Sequence, residues 1–151
     1  VTGSAFRFRL ERVRAVRERK EKLAQTELAN AISRHSSSVT ELRSADERLE
    51  HAREQQRGVV EETTVSANDL LARQTFLERV EAQRRLRAGE LEQRETELAQ
   101  RDAELATAAS EHEMLIRLRE RHRGEHEREA ARVEQGALDE IAVTRFGRSH
   151  A

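Results

Sequence analysis

The sequence has no cysteine, proline, tryptophan or tyrosine, and only six glycines and four phenylalanines among 151 residues. Without cysteine there are no disulfide staples and no thiolate nucleophiles or metal ligands, which fits a cytoplasmic location. Without proline, nothing imposes a break on a long helix. A hydrophobic share of 36% against a charged share of 38%, with so few aromatics, argues against a compact globular core. No apolar run reaches the roughly 18 residues that a bilayer span needs, and the start lacks the apolar heart of a secretory signal. Charge of either sign is also missing in the net. The 28 basic and 29 acidic residues leave −1, so no global field attracts nucleic acid.

What is present is a heptad ladder. Stepping by seven from Leu70 gives Leu77, Arg84, Leu91, Leu98, Leu105, His112, Arg119, His126 and Val133, regular to Leu105 and frayed beyond. Between the rungs stand Arg, Glu, Gln and Ala, good helix formers with water-seeking heads. One apolar residue in seven lines a narrow seam, so this helix needs a partner and buries little against it.

The basic residues are unevenly placed. Residues 1–22 hold eight basic side chains against three acidic ones, a surface for an acidic protein or an anionic membrane. Phe6 and Phe8 alternate with Arg7 and Arg9 in a loose entry before Leu10, Val13 and Val16 shift to helical spacing. A first helix is expected from about residue 8 to 58 through Leu23, Leu28 and Ile32. The stretch from His35 through Ser36, Ser37 and Ser38 to Thr40 is either a soft point within it or a break. Leu42, Ala45, Leu49, Ala52, Gln56 and Val59 then form an alanine-rich seam that permits close approach. Gly58 and the β-branched Val59, Val60, Thr63, Thr64 and Val65 disfavour helix, and Ser66 is the best N-cap in the chain. The turn is therefore expected at about 58–66, with a second helix over about 67–146 ending at Gly147.

These elements predict an all-α fold: a single elongated domain over residues 1–151, built as a long antiparallel two-helix coiled-coil hairpin whose second helix is the longer. Contacting residue numbers should sum to roughly 130. That register brings Leu49 to Val80 or Glu81, Leu42 to Ala88, Ile32 to Leu98, Leu23 to Leu105 and Val13 or Val16 to Leu115. The second helix then outruns the first beyond about Arg121. In the excess, Ala130, Val133, Ala137 and Ile141 form an unpaired stripe, which is a docking surface or a dimer surface. Met114, Leu115, Ile116 and Leu118 are the densest apolar cluster, a pattern that more often marks a core thickening than a binding box.

Catalytic chemistry finds little support. His122 and His126 are four apart with Glu129 beyond, a spacing that holds zinc in some helices. Yet Glu125 directly precedes the second histidine, unlike the zinc-protease arrangement. A two-helix hairpin offers no cleft that excludes water. We expect no enzyme, no cofactor and no metal. The arginines at 84, 85, 87, 94 and 101 are interleaved with glutamates, so no nucleic-acid partner is expected either.

Three stretches carry a resemblance. The opening Phe6, Arg7, Phe8, Arg9, Leu10 through Val13 and Val16, the run Thr75, Phe76, Leu77, Glu78, Arg79, Val80, Glu81, and the ending Leu138, Asp139, Glu140, Ile141, Ala142 together resemble the flagellar FliJ family over essentially the whole chain. That resemblance implies a non-enzymatic stalk or adaptor of the bacterial flagellar type III export apparatus, cytoplasmic and peripheral to the inner membrane. Its implied partners are the export ATPase and its regulator, the cytoplasmic domain of the export gate, and export chaperones. By position, Phe76, Val80 and Gln83 fall on the implied gate side. Phe6, Phe8, Leu10, Val13, Val133, Ala137 and Ile141 gather at the implied ATPase side. A stalk of an injectisome-type secretion system is the near alternative. The residues alone also leave open a structural homodimeric coiled coil with a basic, surface-binding arm.

Overall fold

The computed structural model describes residues 5–60 and 65–148. They form an antiparallel two-helix hairpin of α1, Glu11–Val60 (50 residues), and α2, Ala67–Arg148 (82 residues). Most of the expected turn, residues 61–64, lies outside the described residues. On its far side Ser66 caps α2: its Oγ accepts from the Asn68 N–H at 3.2 Å and its carbonyl from the Leu70 N–H at 3.1 Å, satisfying donors that a helix start leaves orphaned. The serine-rich stretch 35–40 stays helical, with the Thr40 hydroxyl donating back to the Ser36 carbonyl.

Both outer ends differ from expectation. Helix α1 starts at Glu11 rather than near Phe8, because residues 8–10 make a turn in which the Glu11 N–H bonds the Phe8 carbonyl at 3.2 Å. Helix α2 runs through Gly147 to Arg148. A terminating glycine works by adopting a left-handed conformation, and no described glycine does so.

The packing forms two compact units, Leu23–Ala106 and the pair of segments Val1–Lys22 with Thr107–Ala151. In the first, ion pairs cross the seam at Arg34–Glu97 (2.6 Å), Asp46–Arg84 (2.8 Å), Glu41–Arg87 (2.9 Å) and Arg53–Glu81 (3.2 Å). The paired numbers sum to 128–134, matching the register expected from the sequence. That register sets large against small. By that register Leu77 is level with Ala52, Leu98 with Ala31, Leu105 with Ala24 and Val80 with Leu49. Ala31, Ala45, Ala52, Leu49 and Val80 are all buried. Among the described residues no large side chain is fully enclosed, so each layer contributes modest apolar area and the helices depend on many repeats of it.

The seam of α1 corrects one expectation. Leu23 and Ile32 are 63% and 52% exposed and lie outside the interface, which runs instead through Ala24, Leu28, Ala31 and His35. Nine residues at 100° apiece put Leu23 and Ile32 on opposite faces of one helix, so both cannot serve one seam. On α2 the ladder leucines alternate with Arg87, Arg94 and Arg101. Each of these guanidiniums is held by a glutamate three residues on, Glu90, Glu97 and Glu104. The guanidinium of Arg34, and then that of Arg94, holds the Glu97 carboxyl below its ordinary range, and Arg101 does the same to Glu104.

The second unit uses the same register with a more polar seam. Arg17 and Lys20 reach Glu111 at 2.5 and 3.4 Å, Glu21 Oε2 sits 2.6 Å from His112 Nδ1, and Arg119 approaches Glu11 at 3.8 Å. Ala108 is buried, whereas Val13 and Val16, expected against Leu115, are exposed. The Arg14 guanidinium lies between Glu11 and Glu18. It draws the Glu11 carboxyl down chiefly by direct hydrogen bonding, while Lys22 is the main cause of the same shift at Glu18.

Two outcomes follow from this seam. Ala31→Leu, forced against Leu98, should cost about 1–3 kcal/mol in a urea melt, whereas Ile32→Ala beside it should stay within about 0.5 kcal/mol. The second concerns pH. Carboxyls lowered in the folded chain contribute stability that is present above their unfolded pKa of about 4 and lost as pH falls through the lower folded value. The thermal midpoint should therefore drop as pH is taken below about 4, and Glu97→Gln, which removes the carboxyl bonded to both Arg34 and Arg94, should make that drop smaller.

Candidate docking surfaces

Neither unit contains an enclosed cleft among the described residues, so candidate sites are faces of helices rather than cavities. Just after the turn, Ala72, Phe76, Arg79, Gln83 and Leu86 recur in steps of four and three along α2, beside the seam that carries Leu77, Val80 and Arg84. All five are exposed, Phe76 by 51% and Leu86 by 61%, and the exposed Leu71, Thr75 and Ala82 widen the same face. Arg79 is its lone charge. Elsewhere the exposed surface of this unit is laced with alternating charges, so a strip with one charge, a phenylalanine and two leucines stands out as a place for a partner.

Of the three residues implied on this side by resemblance, Phe76 and Gln83 lie on the open strip. Val80 is only 7% exposed and lies in the seam, level with the buried Leu49, rather than on the open strip. The sequence reading missed Leu86 and Leu71. Their signal was available as a second rhythm, displaced by one residue from the ladder, but one periodic stripe hides another when the partner helix has not been placed.

In the other unit the loose entry is not free. Phe8 is buried, its ring 6.0 Å from that of His122, and Phe6 lies 5.7 Å from His126. Side chains two apart in the entry thus meet histidines four apart on α2, the natural match between an extended segment and a helix face. These two phenylalanines therefore already have partners within the chain. No three metal-ligating side chains converge among the described residues. Leu10 is half-buried and Val13 exposed.

Further along α2 the stripe of Ala130, Val133, Ala137 and Ile141 is exposed throughout, as are Leu138 and Val143. The residues expected on this side thus divide into two groups: Phe6, Phe8 and Leu10 are buried or half-buried, and Val13, Val133, Ala137 and Ile141 are open. Met114 is 66% exposed, which separates it from Leu115 and Ile116 at the half-buried seam edge.

Among the described residues no helix is long and apolar enough to cross a membrane. Comparison with curated proteins and with solved structures finds no match. The family description "Flagellar FliJ protein" matches residues 6–151, taking in the phenylalanine entry, both helices and the apolar stripe of α2. The chain belongs to the flagellar FliJ family, and with it to the flagellar export apparatus.

Proposed function

We propose that this chain is a non-enzymatic adaptor of the export apparatus, with the strip after the turn docking on the cytoplasmic domain of the export gate and the unit holding both chain ends docking on the export ATPase complex. The observation that carries this reading is the strip around Phe76. A helix that already has its partner on one face retains a second apolar face, bare of all charge but Arg79, within about six turns of its start. Such faces take up a partner helix or groove through a few anchoring side chains. Phe76, Gln83 and Leu86 supply the anchors here, and Val80 fixes the helix beneath them.

On the ATPase side the open residues are Val13, which stands among the arginines of α1, and Val133, Ala137 and Ile141 further along α2. Phe6 and Phe8 act indirectly, by pinning the entry segment on His126 and His122. The export regulator and chaperones belong to the same reading as further partners, and a cytoplasmic, membrane-peripheral location follows from it. Guanidiniums steer approach to an acidic surface, an effect that fades with added salt, while the apolar contact does not.

Substitutions separate docking from packing. Phe76→Ala should weaken binding to the gate domain by at least about 2 kcal/mol, roughly thirtyfold, with little change in the circular-dichroism melt. Val80→Ala should do the reverse, costing about 1–3 kcal/mol of stability while binding stays within a few-fold. A large fall in melting temperature for Phe76→Ala with binding retained would assign the ring to packing and remove the gate reading.

The ATPase side is tested by Val133→Asp with Ile141→Asp. Both residues are exposed, so helicity should be unchanged, and stimulation of the cognate ATPase should disappear. Stimulation that survives the pair of substitutions would move this contact elsewhere.

A further inference from the structure

Two exposed surfaces within the same unit are complementary to each other. On one flank, the Lys20–Glu111 ion pair fixes which sides of α1 and α2 face the same way. In the resulting register Val13 lies level with Leu118, and Val16 level with Met114. Val13, Val16 and Met114 are exposed, and Met114 and Leu118 line a shallow open depression of about 410 Å³ together with Ser110, Glu113, Arg117 and Arg121. The acidic groups here are already neutralised, Glu111 by Arg17 and Lys20 and Glu113 by Arg117. Arg12, Arg19 and Arg121 form no ion pair or hydrogen bond among the described residues. The uncompensated charge of this flank is thus entirely positive.

The stripe of α2 has the opposite character. Ala130, Val133, Ala137 and Ile141 occupy one face, with Glu134 on one side of it and Glu140 on the other. Neither carboxylate is paired among the described residues, whereas Glu129 is held by Arg132. The depression spans residues 110–121 of α2 and the stripe spans residues 130–141. Each is therefore about 16 Å long. The stripe continues the same rigid helix as the depression, so it cannot fold back onto it.

We propose that two copies of this chain associate reciprocally, the apolar stripe of each lying on the basic flank of the other, with Glu134 and Glu140 meeting Arg12 and Arg121. A stripe paired with a stripe would bring Glu134 and Glu140 of both copies together, and a flank paired with a flank would do the same to the arginines. Only the exchanged arrangement neutralises both. It closes as a twofold pair, and it covers Val133, Ala137 and Ile141, so the associated form is withheld from any partner that uses them. This last consequence rests on the ATPase-side reading, whereas the association itself does not.

Sedimentation equilibrium of the full chain at low salt tests the association without any other protein. The mass should rise from 17.4 kDa toward twice that value with concentration, and added salt should oppose the rise. Arg12→Glu with Arg121→Glu, and separately Glu134→Arg with Glu140→Arg, should each weaken self-association at least tenfold while the helical circular-dichroism signal persists. Mixing the two variants should restore it, because each reversed surface then meets its complement. Met114→Ser, at an exposed position, should weaken association without charge change. A chain that remains at monomer mass through the whole concentration series overturns the proposal. So does association that ignores both charge reversals, or a mixture that fails to recover it.

Discussion

The structure depends on a seam too narrow to hold two helices by burial alone, and therefore on keeping one register over many repeats. Several layers of Leu23–Ala106 set a leucine of α2 level with an alanine of α1, as at Leu98 and Ala31, and the layers between them bring Arg87, Arg94 and Arg101 to the seam. A shift by one layer would set Leu28 against Leu98 or Leu105 and Ala31 against Arg94 or Arg101, crowding some layers and loosening others. The cross-seam ion pairs add little stability individually because they are exposed. Their regular spacing still penalises every wrong register with like charges, which makes them devices of specificity more than of strength.

A narrow seam leaves most of each helix surface unoccupied, and that is what suits the chain to docking. A helix in a globular core spends its apolar residues inward, whereas here Phe76, Leu86, Met114 and Ile141 can stay exposed without weakening the hairpin. Between these places the arginines and glutamates pair along the helix, as at Arg87–Glu90 and Arg94–Glu97, keeping the intervening surface soluble and nearly neutral. The family assignment gives these surfaces a setting in flagellar export, and the bare strip after the turn is the physical reason to place a partner there.

Much of the fold was legible in the residues. The absence of proline, the ladder from Leu70, the alanines of 45 and 52 and the capping serine Ser66 gave two helices, their order, their relative lengths and their register. These are local propensities and periodicities, and they act before any tertiary contact forms. The sequence also marked Phe76 and the stripe of Val133, Ala137 and Ile141 as apolar residues in excess of what the seam required.

Only the tertiary structure decided which of several apolar rows became the seam. Leu23 and Ile32 are more hydrophobic than Ala24 and Ala31, yet Ala31 is buried and Ala24 half-buried, because close approach to Leu105 and Leu98 needs small side chains on one helix and a straight row on its face. Val80 and Phe76 look equally available in the sequence, but the position of α1 buries the first and exposes the second. The entry phenylalanines found histidines a hundred residues and more away, a meeting that no local pattern records. Composition and periodicity fix which elements form and how long they are, since those choices are made within a few turns of chain. Which face of each element meets its neighbour depends on side chains from both helices at once, and so is settled only when the two are brought together.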